Sequence, residues 1–260
     1  MQSAALEALG LAPEWSYSAV EVEPEGFEAR VRDLSMDGYA GVNVTVPHKH
    51  AALAMADEAS EAARQIGAAN TLSFCADRTV ADADAVRPWV VADNTDAGGL
   101  LAALPSTPLD AHTLVLGAGG AARAVVWALV GEGARVEVWN RTPARADELC
   151  GDLGGRAVEA PVQGDYDLIV NTSSAGLGGE DPFAALPLEP GGFAAGQLVV
   201  DMVYGERPSP LLAAAEAAGA GTVDGLEILV QQGALSLALW TKREPDLDAM
   251  RIAARRTATE

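Results

Sequence analysis

Two rhythms of apolar and polar residues run through this chain. Helical spacing, or runs of small helix-forming residues, marks residues 2–9, 25–36, 60–66, 96–104, 122–130, 211–220, 226–240 and 247–256. Alternating or β-branched runs predict strands at 15–22, 41–46, 69–74, 113–116, 135–139, 168–171 and 198–203, and residues 90–92 read as the end of another. Pro47 predicts the start of a short helix that runs to about Met55, since proline fits a first helical turn. Strands and helices alternate, which predicts an α/β fold of two lobes. Leu104-Pro105-Ser106-Thr107-Pro108 carries two prolines and reads as the link between them. No internal repeat or low-complexity tail interrupts the pattern.

The sharpest pattern lies at residues 113–145. An apolar strand ends in Gly117-Ala118-Gly119-Gly120-Ala121, a small-residue helix follows, and a second apolar strand begins at Arg135. Gly117 can adopt a backbone conformation closed to other residues and so turn the chain sharply. Gly119 lets a pyrophosphate approach the main chain, and Ala122 lets the helix lie close on the strand. The first helical N–H groups have no intrahelical partner and face the turn, where the helix dipole also favours an anion. A glycine triplet alone is weak evidence, but its place inside a βαβ unit predicts a dinucleotide site. An NAD site places an Asp or Glu at the end of the second strand. Here that place reads Asn140-Arg141-Thr142-Pro143-Ala144-Arg145, with no carboxylate before Asp147. Arg141 and Arg145 would attract a 2′-phosphate, with Asn140 and Thr142 adding neutral hydrogen bonds. Bonds to a charged group contribute about 1.5–3 kcal/mol each, enough to favour NADP. The plainer reading leaves both arginines solvated at a helix start.

Composition narrows the partners. The 260 residues, 49% hydrophobic, can bury one large core or two modest ones. With 17 Lys plus Arg against 37 Asp plus Glu the net charge is −20, which argues against nucleic acid or an anionic membrane. No apolar run is long enough to span a bilayer, and the first residues lack the features of a signal peptide. Cys75 and Cys150 are isolated, and His48, His50 and His112 form no ligand spacing with them, so free thiols, a cytoplasmic setting and no metal are expected.

Three polar clusters in the first half suggest a second ligand site. Alternation places Asn43 and Thr45 on one face of a strand, with Lys49 just past its end. Asn70 and Thr71 open a strand, and Asp93-Asn94-Thr95-Asp96 joins a strand's end to a helix's start, where open α/β sheets bind ligands. Each has an ordinary reading: Thr45 suits a strand, Thr95 or Asp96 could cap the helix, and Lys49 could be a solvated lysine. Their coincidence with a nucleotide lobe favours a site.

These motifs resemble the shikimate dehydrogenase family. The matching residues are Asn43-Val44-Thr45-Val46-Pro47 with Lys49, Gly67-Ala68-Ala69-Asn70-Thr71-Leu72, Asn94-Thr95-Asp96 and the glycine turn. They continue through Asn140-Arg141-Thr142 with Arg145, Asn171-Thr172-Ser173-Ser174-Ala175-Gly176, Asp201-Met202-Val203-Tyr204 and Asp224-Gly225-Leu226, in the family's order. The resemblance implies NADP-linked interconversion of 3-dehydroshikimate and shikimate, in the route to aromatic amino acids. It implies a catalytic pair, Lys49 and Asp96, and a substrate set of Thr45, Lys49, Asn70, Asp96, Tyr204 and Gln232. The cofactor set would be Gly117, Ala118, Gly119, Gly120, Ala121, Asn140, Arg141, Thr142, Arg145, Met202 and Gly225, and Glu61 matches a further position on the cofactor side. It also implies a substrate-binding domain of residues 1–104 completed by 226–260, and a Rossmann NADP-binding domain of residues 105–225.

Ketone reduction builds negative charge on oxygen, which a lysine ammonium at Lys49 would stabilise and protonate. Asp96 would hold it in place. Alcohol oxidation needs Lys49 deprotonated, so high pH should favour that direction. The family's pattern begins with a further strand and a Ser-x-Ser-Pro turn whose serines bind the substrate carboxylate. Residues 1–11 align with the helix after that turn, so those serines are not among the residues here, and the expectation is either a start upstream of Met1 or a shortened form. Two alternatives remain: a quinate-type polyol dehydrogenase, and an NADP-binding protein without turnover. A monomer or a homodimer fits equally.

Overall fold

Two sheets organise the chain, one on each side of the predicted link. The computed structural model describes residues 1–81, 86–205 and 209–257. Its strands are β1 Gly41–Asn43, β2 Glu58–Ala59, β3 Thr71–Ala81, β4 Val86–Asp93, β5 His112–Leu116, β6 Arg135–Trp139, β7 Arg156–Ala157, β8 Leu168–Asn171, β9 Leu198–Asp201 and β10 Gly221–Asp224. Its α-helices are α1 Gln2–Ala8, α2 Phe27–Met36, α3 Lys49–Met55, α4 Glu61–Ile66, α5 Thr95–Ala103, α6 Gly120–Gly131, α7 Pro143–Leu153, α8 Pro210–Ala217, α9 Gly225–Thr241 and α10 Leu247–Thr257.

The larger sheet is parallel throughout, in the order β10-β9-β8-β5-β6-β7. Both of its faces are buried, as a parallel sheet requires. Alternate residues therefore serve opposite cores. Val115, Val138, Val170 and Val200 pack with Val125, Val126 and Leu129 of α6. Leu114, Leu116, Ile169 and Val199 pack with Leu211, Leu212 and Ala215 of α8. From β5 the chain runs outward one way through β6 and β7, then returns to β8 and runs the other way. The switch point between β5 and β8 is where such sheets bind ligands.

The smaller sheet has the order β1-β3-β4-β2, with β3 antiparallel to both β1 and β4 and β2 parallel to β4. Its core joins Leu72, Phe74, Val90 and Ala92 to Phe27, Val31 and Leu34 of α2. The last helices return to this side: Ala5 and Leu6 of α1 pack with Val230 and Leu237 of α9 and Met250 of α10. Helix α5 packs on both α9 and α6 and so connects the two sheets. Arg123 of α6 adds a polar tie, donating from Nε to the Ile66 carbonyl at 2.5 Å and from Nη1 to Asp152 at 2.9 Å.

Several elements differ from the sequence pattern. Residues 15–22, expected as a strand, form no strand or helix. Alternation shows which side chains want burial, but a strand also needs a neighbouring backbone. Among the described residues β1 pairs only with β3; residues 15–22 reach it by a side chain, Tyr17 donating to Asn43 Oδ1 at 3.0 Å, and line the cleft described below. β1 stops at Asn43, although the Val44 amide still donates to the Asn70 carbonyl at 2.7 Å. Pro47 precedes the N-cap His48 instead of lying in the first turn of α3. β3 continues to Ala81 through the polar Cys75-Ala76-Asp77-Arg78, because β4 pairs with it on both sides of an irregularity between Cys75 and Thr79. α7 and β10 carry too few apolar residues to stand out by pattern; β10 is fixed by its parallel pairing with β9.

Candidate active site

Lys49 owes its position to the start of α3 and to a backbone tie. Its carbonyl accepts the Ala69 amide at 2.9 Å, which fixes α3 against the segment leading to Asn70. Asn70 is held from both sides: its amide donates to the Asp93 carbonyl at 3.1 Å, and its carbonyl accepts from Val44. Asn94 then caps α5, accepting from the amides of Asp96 at 3.1 Å and Ala97 at 3.4 Å. Neither Thr95 nor Asp96 caps the helix, as sequence allowed; Asn94 takes that role and leaves the Asp96 carboxylate free. Asp96 lies in the first turn of α5, where the helix dipole favours a negative charge.

The freed carboxylate is shared. Lys49 Nζ donates to Asp96 Oδ2 at 2.6 Å, with the two side chains only 14% and 10% exposed. Asn70 Nδ2 donates to Asp96 Oδ1 at 2.8 Å and lies 3.2 Å from Gln232 Oε1 of α9. Ammonium, carboxylate and two amides thus form one continuous row. Thr45, Lys49, Asn70, Asp96, Tyr204 and Gln232 line a single cleft of about 1410 Å³, and so do Met202 and Gly225. The predicted substrate residues are brought together from the segments leading into β3 and α3, from α3 itself, α5 and α9, and from the turn after β9.

The glycine turn, residues 117–121, is not part of that lining but comes close to Lys49. Gly117 has a φ of +114°, and a Cβ there would stand 2.7 Å from Thr172 Oγ1, so both its conformation and its surroundings require glycine. A Cβ at Gly119 would meet nothing within 4 Å, leaving the main chain open to a ligand. A Cβ at Gly120 would lie 3.9 Å from Lys49 Cδ, so the start of α6 lies beside the lysine. Helix α6 has no side-chain cap and no acidic residue in its first turn, so its N–H groups remain available for an anion. Ala122 is fully buried, allowing α6 to seat on the sheet.

Asn140, Arg141, Thr142 and Arg145 sit between β6 and the first turn of α7, beside the turn through the Gly117 amide, which donates to the Trp139 carbonyl at 2.8 Å. Arg141, Thr142 and Arg145 are exposed, and Asn140 Nδ2 donates to the Thr142 carbonyl at 2.9 Å. Glu61 is not brought into the cleft lining. It lies exposed in the first turn of α4 and accepts from Gln65 Nε2 at 3.0 Å.

One pair belongs to the matching motifs but was given no role by the sequence. Asn171 and Asp201 end β8 and β9 in register. Asn171 Nδ2 donates to Asp201 Oδ1 at 2.9 Å, the Val203 amide donates to the same oxygen at 3.1 Å, and Ser209 donates to Oδ2. Burial pushes the Asp201 carboxyl above its ordinary range despite these donors. The pair shapes the two turns flanking the switch point, including Met202 and Tyr204. The available signal was a polar residue ending each of two apolar strands that the topology makes neighbours.

A parallel sheet with an open glycine turn at its switch point, and a Lys–Asp pair beside the start of the following helix, marks a two-lobed nucleotide-linked dehydrogenase. The shikimate dehydrogenase substrate-binding domain model matches residues 1–72, the shikimate/quinate 5-dehydrogenase model residues 103–172, and the shikimate 5-dehydrogenase C-terminal domain model residues 225–255. The chain is 43% identical over 258 residues to the NADP(+) shikimate dehydrogenase of Anaeromyxobacter sp. strain Fw109-5, covering 94% of this chain and 85% of that one. It superposes with a TM-score of 0.84 and 40% identity on shikimate 5-dehydrogenase from Thermus thermophilus in complex with NADP(H) and shikimate, covering 98% and 92% of the two chains. The ligand-free 5-ketofructose reductase of Gluconobacter sp. strain CHM43 shares the fold at a TM-score of 0.85 and 29% identity, covering 98% of this chain and 91% of that one. The chain belongs to the shikimate dehydrogenase family.

Proposed function

We propose that this chain catalyses the reversible NADPH-dependent reduction of 3-dehydroshikimate to shikimate. The observation that carries the reading is the Lys49–Asp96 pair at 2.6 Å, beside the nucleotide turn. NADPH, when bound, supplies the hydride that adds to the ketone carbon. The chain's residues do the rest. Lys49 meets the oxygen on which negative charge develops and passes it a proton, becoming a neutral amine. Asp96 holds Lys49 in place before and after that transfer. Thr45, Asn70, Tyr204 and Gln232 orient the substrate's polar groups. Gly117–Ala121 and the α6 N-terminus receive the pyrophosphate. Asn140, Arg141, Thr142 and Arg145 receive the 2′-phosphate, and Met202 and Gly225 border the cofactor near the substrate.

The same reading divides the chain into a substrate domain, residues 1–104 with 226–260, and a nucleotide domain, residues 105–225; the return of α9 and α10 onto α1 supports it. We place the activity in the cytoplasm, in keeping with two isolated cysteines and no disulfide framework. All the residues named above come from one chain, so a monomer or a homodimer would serve equally. The test is steady-state turnover with shikimate and NADP, comparing wild type with Lys49→Ala. Wild-type turnover should be NADP-dependent, and the variant should lose kcat severely while its KM for shikimate moves less. Near-normal kcat in Lys49→Ala would reject the role. The likeness to 5-ketofructose reductase supports a second reading, reduction of another polyhydroxy ketone, and a substrate panel with NADPH separates the two.

A further inference from the structure

Helix α9 sends a second polar side chain into the first lobe, one turn beyond Gln232. Ser236 is fully buried, at 0% exposure. Its Oγ lies 2.8 Å from Asn43 Nδ2, 2.8 Å from Thr71 Oγ1, 3.0 Å from Thr95 Oγ1 and 3.0 Å from the Gln232 carbonyl oxygen. A hydroxyl has one hydrogen and two lone pairs, so these four neighbours constrain it fully. The carbonyl can only accept, so it takes the Ser236 hydrogen. The Asn43 amide nitrogen can only donate, so it fills one lone pair. The remaining lone pair takes a hydrogen from Thr71 or from Thr95.

The threonine that does not donate to Ser236 has Asn70 Oδ1 as its nearest other acceptor, ahead of the other threonine's oxygen at 3.3 Å. Asn70 Oδ1 lies 3.1 Å from Thr71 Oγ1 and 3.2 Å from Thr95 Oγ1. The Thr95 backbone amide also donates to Asn70 Oδ1 at 2.8 Å, which fixes the orientation of that side chain and turns its Nδ2 toward Asp96. Two complete arrangements follow. In each, one threonine donates to Ser236 and the other to Asn70. Both require the Ser236 oxygen. Without it, one threonine hydrogen keeps Asn70 Oδ1 and the other is left with longer contacts: the neighbouring threonine oxygen at 3.3 Å or, for Thr95, Gln232 Oε1 at 3.5 Å. Asn43 Nδ2 is left with Thr71 Oγ1 at 3.4 Å.

We infer that Ser236 is a positioning residue for substrate binding: through Thr71 and Thr95 it holds the Asn70 amide in the orientation that meets the substrate. This rests on the function proposed above. Ser236 does not touch the cleft itself, so its effect belongs to substrate affinity and not to hydride transfer or cofactor binding.

The experiment uses the full chain with Ser236→Ala and the near-isosteric Ser236→Cys, reading KM for shikimate, KM for NADP, kcat and melting temperature. Ser236→Ala should raise KM for shikimate about tenfold, the equivalent of roughly one hydrogen bond. KM for NADP should stay within about twofold, and Ser236→Cys should fall between wild type and Ser236→Ala because a thiol is a weak donor and acceptor. A KM for shikimate within about twofold of wild type in both variants overturns the inference. So does a fall in kcat with both KM values unmoved, which marks a purely structural loss of active protein. If Ser236→Ala does not fold, Ser236→Cys decides by the same criterion, and failure of both to fold assigns Ser236 to stability and overturns it too. Wild type that neither turns over nor binds shikimate rejects the functional reading and this inference with it. Active wild type with unaltered variants rejects the inference alone.

Discussion

Replacing Asp96 by Asn tests the centre of the site with almost no change in shape. In wild type each carboxylate oxygen faces a donor: Lys49 Nζ at 2.6 Å on one side and Asn70 Nδ2 at 2.8 Å on the other. An asparagine has one oxygen and one NH₂ group, so one of those donors must then face another donor. Whichever way the new amide turns, a charge-assisted contact is lost or the Asn70 bond becomes repulsive. A hydrogen bond to a charged group contributes about 1.5–3 kcal/mol. At about 1.36 kcal/mol per factor of ten, kcat/KM for shikimate should fall roughly 10- to 150-fold. The loss should appear in kcat as well as KM, because Lys49 is held for the chemical step and Asn70 for binding. The assay is NADPH formation from shikimate, with NADP affinity measured separately by fluorescence titration and expected unchanged. A kcat/KM within about threefold of wild type would refute the reasoning, since it would mean that neither contact matters in the transition state.

Three further outcomes are expected. Arg141→Ala and Arg145→Ala should each raise KM for NADP by roughly 10- to 100-fold, by loss of a bond to a charged group, while any residual NAD-linked rate stays within about twofold; parallel losses with both cofactors would remove the 2′-phosphate assignment. Asn94→Ala removes the α5 cap and a bond from Asn94 Nδ2 to the Ala68 carbonyl at 3.0 Å; together these should cost about 2 kcal/mol and lower Tm by about 4–8 °C, read by calorimetry. The Arg87 guanidinium, donating to Asp57 at 2.6 and 2.7 Å, holds the Asp57 carboxyl below its usual range. A depressed carboxyl contributes stability above its unfolded pKa of about 4 and loses it as the pH falls through the folded value. Asp57→Asn should therefore reduce stability at about pH 7 and flatten its decline below about pH 4, and an acid limb of unaltered slope in urea titrations would contradict this.

What the residue order determined by itself is local. The run from Thr113 to Leu116, the turn at Gly117 and Gly119 and the small-residue helix with Ala122 could hardly form anything but a strand, a phosphate turn and a close-packed helix, because each requirement falls within a few residues of chain. Arg141 without a nearby carboxylate likewise indicated NADP from neighbouring positions alone. Lys49 and Asp96 were legible as candidates only through the company of other motifs, since a single lysine or a single helix-start aspartate has an ordinary explanation. The tertiary structure decided the rest. It gave the cap of α5 to Asn94, which released Asp96 for Lys49. It placed Asn171 beside Asp201 and Ser236 among Asn43, Thr71 and Thr95, contacts between residues far apart in the chain. It left residues 15–22 without a ladder, because pairing depends on a neighbouring backbone that alternation cannot show. Conformation and charge preference are properties of short stretches, whereas a hydrogen bond between distant residues exists only once packing has brought its donor and acceptor within about 3 Å.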